Sequence, residues 1–242
     1  MKLKTRLSLL LIVFLALNSC KKKQKIVKIM YSDLQAQISN YRKKGFELFA
    51  EDVKLASSYL NDSIYEIVRG TYISDYNFNL ANGSILNTDS IQKPIYLQVG
   101  SRSCAPCRAE IPALNDIVEK YSDDISFILL SQYDSKEALL KVLHEYHQDI
   151  SLVYYSKEEN KNNKQSDPGK FSGFKHLMKS LPRNYLVNKN RQIVGITGGA
   201  IVPGSHIDTE GKEITITKEK AYQENYKKFE KEIEFLLKDN LE

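Results

Sequence analysis

The sequence predicts an α/β fold, in which a mixed β-sheet is flanked by helices on both of its faces. Short apolar runs at residues 95–99, 125–130 and 150–155 have the length and composition of buried strands. Segments of helical periodicity separate these runs, and a predicted strand pair and a long amphipathic helix follow them. Strands and helices in this order pack as helical layers against a central sheet.

A helical segment is predicted in front of this sheet, within residues 27–75. Its apolar side chains recur at roughly the spacing of one helix face. They are Tyr31, Leu34, Ile38, Tyr41, Phe46, Phe49, Val53 and Leu60. We therefore expect an extra N-terminal helical segment that precedes the α/β domain.

An N-terminal β-hairpin is predicted next. Phe78-Asn79-Leu80 precedes the tetrapeptide Ala81-Asn82-Gly83-Ser84, and Ile85-Leu86 follows it. An Asn-Gly pair between apolar residues is a strong signal for a tight hairpin turn, because both residue types tolerate positive φ.

The remaining elements are predicted from periodicity and turn residues. In chain order they are helices at residues 111–121, 139–146 and 171–179, a strand pair at residues 185–187 and 192–196, and a closing helix at residues 222–237. The helix at residues 139–146 rests on the spacing of Leu139, Leu140, Leu143 and Tyr146.

The first twenty residues have the pattern of an export signal. Basic residues at positions 2, 4 and 6 precede the apolar stretch Leu7–Leu17, which is too short to span a bilayer comfortably. The stretch ends in Leu17-Asn18-Ser19-Cys20, which resembles the bacterial lipobox, where cleavage precedes a cysteine that receives lipid. An ordinary signal peptide or an uncleaved anchor is the alternative. We expect a lipoprotein signal peptide at residues 1–19, and lipidated Cys20 with a lysine-rich tether at residues 20–26.

The charge balance gives no indication of a nucleic-acid partner. The chain has 35 Lys and Arg against 30 Asp and Glu, a formal net charge of +5. Removal of residues 1–19 takes away three basic residues and no acidic one, which leaves 32 against 30 and a net charge of +2. No aromatic-interleaved basic stretch accompanies the lysine run, so we expect a solvated tether there and no nucleic-acid site.

The motif Cys104-Ala105-Pro106-Cys107 carries the chemistry. It lies between the predicted strand at residues 95–99 and the predicted helix at residues 111–121. Two cysteines at this spacing can cycle between dithiol and disulfide. Backbone N–H groups at the start of a helix stabilise the thiolate of the first cysteine. The second cysteine, one turn further on, attacks the mixed disulfide that the first cysteine forms. Neither step needs a cofactor, and we predict none.

Two other roles for this cysteine pair are less favoured. A zinc site needs a second Cys or His pair at ligand spacing, which Cys20 and the four histidines do not supply. A purely structural disulfide would close a loop too short to constrain much chain entropy. We therefore predict no metal site, and a redox-active pair in an exported, disulfide-permissive compartment.

Three stretches of the chain resemble one known family. They are Cys-Ala-Pro-Cys-Arg-Ala-Glu-Ile-Pro at residues 104–112, Phe78–Gly83 and Leu181–Asn188. With the order of the elements, they resemble the exported, membrane-tethered thiol–disulfide oxidoreductases of the TlpA/ResA type. The resemblance implies a thioredoxin-like domain at residues 76–242. The helical segment at residues 27–75 lies outside it, as a spacer, a dimerisation surface or a substrate-recognition cap.

The resemblance also implies roles for individual residues. Cys104 is the exposed nucleophile, Cys107 is the resolving thiol, and Pro182 is the cis-proline that faces them. A cis bond between Leu181 and Pro182 turns the chain sharply and leaves the backbone groups of Leu181 free to pair with an extended substrate. A plain trans turn proline is the alternative at this position.

Glu110 is the expected proton carrier of the site. It follows Cys107 by one helical turn and matches an acidic position that the family uses near the active site. Gln98 stands where thioredoxins carry a buried Asp, so no carboxylate is available there. Partial burial would raise the pKa of Glu110 and let it exchange protons with the Cys107 thiol. The alternative is an exposed glutamate that the helix dipole favours.

The implied function is thiol–disulfide exchange with exported dithiol or disulfide proteins, apocytochrome c among the candidates. In an oxidising compartment, Cys104 and Cys107 stay reduced only if a membrane protein supplies electrons to them. The lipid anchor would hold the protein in the cell envelope, facing the periplasm. Two alternatives have the same fold. A peroxiredoxin-like peroxide reductase generally has a Thr-containing motif without CxxC, and a copper metallochaperone needs a CxxxC pair with a distant His.

Overall fold

The computed structural model of the protein describes residues 28–154, 181–207 and 211–239. The predicted signal peptide, Cys20 and the predicted helix at residues 171–179 lie outside these ranges. The helices are α1 (Gln35–Phe49), α2 (Val53–Val68), α3 (Ala105–Ala109), α4 (Ile111–Tyr121), α5 (Lys136–Leu140) and α6 (Lys218–Asp239). The strands are β1 (Asn77–Asn79), β2 (Ile85–Asn87), β3 (Ile95–Gly100), β4 (Ser126–Ser131), β5 (Ile150–Val153), β6 (Arg183–Val187), β7 (Ile193–Gly198), β8 (Gly204–Ile207) and β9 (Glu213–Ile216).

Five strands form the central sheet, in the order β5-β4-β3-β6-β7. Strand β3 pairs in parallel with β4, and β4 in parallel with β5. On its other side β3 pairs antiparallel with β6, which pairs antiparallel with β7. All six residues of β3 are buried, as a central strand covered on both faces requires. The predicted thioredoxin-like mixed sheet is confirmed.

Helices cover both faces of this sheet, because alternate side chains of each strand point to opposite sides. On one face, residues of α1 and α2 such as Ile38 and Val68 share a hydrophobic core with Leu97 of β3. On the other face, residues of α4 and α6 such as Ile117 and Phe229 pack with Tyr96. The extra helical segment is therefore confirmed as a layer of the fold, while a domain boundary at residue 75 stays a prediction.

The chain between α2 and β3 runs along both outer strands of the sheet. Tyr72 forms an isolated antiparallel bridge with Gln192, beside β7. Leu80 forms another with Val153 of β5. Strand β1 lies between these two bridging residues and forms the predicted antiparallel hairpin with β2, and the turn residue Gly83 has a φ of +92°. The Asn-Gly signal is confirmed.

The predicted helix at residues 139–146 is wrong in its extent. Helix α5 ends at Leu140, and a single 3-10 turn follows at Leu143–Glu145. The side chain of Asn115 on α4 donates to the carbonyl of Glu145 and accepts from the N–H of His147, both at 2.9 Å. These contacts hold the backbone in a non-helical path that residue spacing does not reveal.

Helix α6 is the predicted closing helix, and its buried face contains polar residues. The buried side chains are Ala221, Asn225, Phe229, Glu232, Ile233 and Leu236.

No helix in the ranges that the structure describes is long and apolar enough to cross a membrane. Strands β8 and β9, which precede α6 and pair antiparallel, were not predicted, since their side chains are largely exposed and lack a clear apolar alternation.

Candidate active site

The two cysteines lie where the chain leaves the central strand β3 and enters α3. Cys104 is the N-cap of α3, and its Sγ accepts a hydrogen bond of 3.2 Å from the backbone N–H of Cys107. The two residues are joined by a disulfide. Cys104 is half-buried, whereas Cys107 is 8% exposed. Cys104 is thus the more accessible of the two residues, and its sulfur has a backbone donor.

The loop before Cys104 is fixed by Asp134, a buried residue that follows β4. Its Oδ2 accepts from the backbone N–H of Arg102 at 2.6 Å and from the hydroxyl of Ser131 at 2.5 Å. The Nε of Arg102 lies 3.7 Å from its Oδ1. This contact pairs the Arg102 cation with Asp134 and ties the loop of the motif to the end of the neighbouring strand.

Pro182 lies at the same end of the sheet as the cysteine motif. The register of β6 on β3 pairs Arg183 with Val99, and this register brings the preceding Pro182 to the carboxyl end of β3. The Leu181–Pro182 peptide bond is cis, as expected. The carbonyl of Pro182 accepts a hydrogen bond of 3.1 Å from Gly199. A Cβ atom at Gly198 would lie 2.8 Å from that oxygen, so a residue without a side chain is required there.

Glu110 is fully buried between α3 and α4, so the exposed alternative is wrong. Its Oε1 accepts a 2.9 Å hydrogen bond from the side-chain amide of Gln98. Its Oε2 has no hydrogen-bond partner within the described ranges, and Lys228 Nζ lies 3.8 Å from it. Burial raises the pKa of Glu110 to about 8, although the charge of Lys228 opposes the rise.

Sequence reasoning missed three polar residues that surround Glu110 and Gln98. They are Asn184 on β6 and Lys228 and Glu232 on α6. Asn184 and Glu232 are buried, and Lys228 has 24% of its side chain exposed. One signal was present in the sequence, because Glu232 interrupts the apolar face of the closing helix.

A shallow cleft begins beside the first cysteine. It has a volume of about 670 Å³, and Ala105 and Arg108 of α3 form its edge. Pro112 and Pro203 supply apolar wall, and Lys218 lies at the start of α6. Within the described residues, no group of three or more His, Cys, Asp or Glu side chains is arranged to hold a metal ion.

Comparisons with known proteins give matches among solved structures. No family model and no curated protein matches the chain. The chain is similar to a thiol:disulfide interchange protein from Bacteroides sp., with 16% identity and a TM-score of 0.42 over 53% of this chain and 80% of that chain. It is also similar to a thio-disulfide isomerase from Thermus thermophilus, with 19% identity and a TM-score of 0.42 over 54% of this chain and 86% of that chain. A third similarity is to StoA from Bacillus subtilis, with 13% identity and a TM-score of 0.40 over 62% of this chain and 95% of that chain.

Proposed function

We propose that the protein is a thiol–disulfide oxidoreductase that exchanges disulfides with exported proteins through Cys104 and Cys107. One observation carries the proposal, namely a disulfide between a half-buried N-cap cysteine and a buried cysteine one turn further on. The N–H of Cys107 faces Cys104 Sγ, and such a donor stabilises a thiolate. An accessible thiolate is suited to attack, and a buried neighbouring thiol is suited to resolve the product.

In the reducing direction, exchange takes two displacements at sulfur. The Cys104 thiolate attacks one sulfur of a substrate disulfide, forms a mixed disulfide and releases the other substrate sulfur as a thiolate. Cys107 loses its proton and attacks Cys104 Sγ, which releases the second substrate thiolate and forms the Cys104–Cys107 disulfide. The substrate gains two electrons and the pair loses two. The reverse sequence oxidises a substrate dithiol.

Glu110 supplies the proton chemistry of the second displacement. A Cys107 thiol must lose its proton before it attacks. The raised pKa of Glu110, about 8, lies close to that of an ordinary thiol, so the ionised fraction of this carboxyl group can accept the proton. Glu110 follows Cys107 by three residues across the break between α3 and α4. Gln98 holds one of its oxygens, so the side chain has a defined orientation.

The binding surface comprises Leu181, Pro182 and the cleft beside Ala105. Leu181 precedes the strand β6 at the end of the sheet where the cysteines lie. An extended substrate segment would pair with the backbone of Leu181 and place its cysteine over Cys104. The cleft, with Pro112 and Pro203 in its walls, offers apolar surface for side chains that flank that cysteine.

The proposed location is the periplasmic side of a cell-envelope membrane. Residues 17–20 support it, since Leu-Asn-Ser-Cys has the form of a lipobox, and lipid on Cys20 would anchor the chain. Substrates would be exported proteins with cysteine pairs, apocytochrome c among them. A membrane-bound dithiol donor would return the pair to the reduced state after each turnover.

The test is the reduction of a disulfide-bonded peptide by the prereduced full-length protein. We expect one peptide dithiol to form for each Cys104–Cys107 disulfide. Cys107→Ser should form a mixed disulfide with the peptide that persists, because the resolving thiol is absent. Cys104→Ser is the matched control and should form none. Absence of reduction by the wild-type protein, or trapping through Cys107 instead of Cys104, would overturn the proposal.

A further inference from the structure

A chain of buried hydrogen bonds connects Glu110 with helix α6. The amide of Gln98 donates to Glu110 at 2.9 Å and to the side-chain oxygen of Asn184 at 3.1 Å. The amide of Asn184 donates to Oε2 of Glu232 at 3.3 Å, and the hydroxyl of Tyr96 donates to the same oxygen at 2.6 Å. None of the five residues is more than 8% exposed. Two carboxylates therefore share one buried polar network.

The two carboxylates of this network have unequal surroundings. Glu232 accepts hydrogen bonds from both Tyr96 and Asn184. In the described ranges Glu110 accepts from Gln98 alone and leaves Oε2 without a donor. A buried carboxylate with fewer donors is the less stable anion of such a pair. The contacts therefore leave Glu110 as the carboxyl group whose ionised form has the weaker hydrogen-bond support.

Lys228 lies one turn before Glu232 on α6 and approaches the free oxygen of Glu110. Its Nζ lies 3.8 Å from Oε2 of Glu110, and it also donates to the carbonyl of Gly199. This second contact anchors the ammonium group beside the loop that follows β7. Helix α6 thus presents one cation and one anion to the same buried carboxyl group.

The other titratable groups near Glu110 do not compete with these two charges. Tyr96 of β3 and Tyr146 after α5 interact with Glu110, but burial raises the pKa of Tyr146 to about 12 and that of Tyr96 well above its usual value. Both phenols are therefore neutral at the pH values at which thiol exchange occurs. At α3 the titratable groups are Cys104 and Cys107, which are the reacting pair, and Arg108, which is exposed and lines the cleft.

We propose that Lys228 and Glu232 are positioning residues that control, from opposite sides, when Glu110 takes the proton of Cys107. This inference rests on the proposed exchange reaction of Cys104 and Cys107. The proton of the Cys107 thiol passes to the Glu110 carboxylate, and the sulfur electron pair forms the bond to Cys104 while the substrate sulfur leaves. The Lys228 cation favours the ionised Glu110 that accepts this proton, and the Glu232 anion disfavours it.

The two charges should therefore shift the pH profile of exchange in opposite directions. Lys228→Met removes the attraction, so the rise of the resolution rate with pH should move upward by about 1 pH unit or more. Glu232→Gln keeps the shape and an acceptor for Tyr96 but removes the repulsion, so the profile should move downward. Lys228→Arg keeps the cation and should restore most of the wild-type profile. Lys228→Gln provides a second neutral variant if the methionine variant is poorly folded.

The experiment combines two readouts on the full-length protein. The first is the single-turnover rate of peptide reduction across pH. The second is the carboxyl resonance of Glu110 in protein labelled with ¹³C-glutamate, assigned with Glu110→Gln. The matched control is Lys227→Met, whose exposed lysine pairs with Glu224 on the same helix and should leave both readouts in place.

Opposite shifts of both readouts in the Lys228 and Glu232 variants would support the inference. Shifts in one common direction, or none, in variants that still reduce the peptide would overturn it and leave the proposed function intact. A wild-type protein that reduces no peptide at any pH would overturn the proposed function, and with it the proton transfer to Glu110. The carboxyl resonance would then still show whether Lys228 and Glu232 act on Glu110.

Discussion

The backbone N–H of Arg102 donates a 2.6 Å hydrogen bond to the carboxylate of Asp134, and this contact joins the loop before Cys104 to the end of β4. The same carboxylate accepts from Ser131. Because Asp134 is only 8% exposed, its partners cannot easily exchange it for water. The position of Cys104, the proposed nucleophile, thus depends on a residue thirty positions further along the chain.

Asp134→Ala should destabilise the protein and loosen the loop of the motif. The change leaves the buried hydroxyl of Ser131 and the partly buried N–H of Arg102 without their acceptor. An unsatisfied buried group costs about 1–3 kcal/mol. Urea denaturation of the oxidised protein measures the loss. Asp123→Ala, at an exposed acidic position, is the control and should change the free energy of unfolding little. Equal effects of both substitutions would contradict the structural role of Asp134.

Cys104 should be alkylated before Cys107 in the reduced protein. Cys104 is the more exposed of the two residues, and its sulfur accepts the hydrogen bond from Cys107 N–H. Brief treatment with iodoacetamide at mildly acidic pH, followed by peptide mass spectrometry, measures the order of labelling. Equal labelling of the two cysteines, or preference for Cys107, would reverse the assigned roles.

Glu110→Gln should slow exchange and change its pH profile while the fold is retained. Removal of a general acid–base group typically costs roughly 10²–10⁴-fold in rate. The glutamine keeps the size of the side chain and an acceptor for Gln98. Single-turnover peptide reduction measures the rate, and circular dichroism verifies the fold. A rate within a few-fold of wild type would remove Glu110 from the chemistry and leave the cysteines and Pro182.

The stability of the folded protein should fall with pH through the titration of Glu110. Its pKa rises from 4.5 to about 8 on folding, so between these values the native state binds a proton that the unfolded chain has released. The stabilisation is fully present below about pH 4.5 and is lost by about pH 8. Urea denaturation across this range should show a smaller fall for Glu110→Gln. The same slope in both proteins would contradict a raised pKa.

Lipidation of Cys20 should anchor the protein to membranes. Several acyl chains resist removal by salt, whereas a single chain gives only marginal binding. Membrane fractionation with a salt wash measures the anchoring. Cys20→Ala behind an ordinary cleavable signal peptide should release the protein into the soluble fraction. Soluble recovery of the wild-type protein would refute the lipobox interpretation.

Local patterns predicted the elements that frame the site. Strand β3 was evident from its short, mostly apolar run, α4 from its 3.6-residue period, and the β1–β2 hairpin from Asn82-Gly83. These features depend on residues close together in sequence. The pairing of Cys104 with Cys107 could be predicted for the same reason, since the two residues are only three positions apart in sequence.

Contacts between residues far apart in sequence could not be predicted from such local patterns. Gln98 and Asn184 are 86 residues apart, and Asn184 and Glu232 are 48 apart, so only the folded sheet brings them together. The non-helical path at Glu145 and His147, after α5, likewise depends on Asn115 of another helix. The sequence left open whether Glu110 is buried or exposed. Helix periodicity does not show which neighbours cover a residue at the break between two helices.

The bridges of Tyr72 to Gln192 and of Leu80 to Val153 have a consequence for association between chains. An outer strand with free N–H and C=O groups recruits strands from other polypeptides, and this is a common route to aggregation. Here the stretch from residue 72 to residue 80 lies against both outer strands and occupies part of their hydrogen-bonding capacity. A protein that handles unfolded chains with unpaired cysteines would meet many extended segments. Under the proposed function, a substrate chain held at the cysteine site would meet outer strands whose backbone groups are already partly paired, which lowers the tendency of the sheet to act as a template for aggregation.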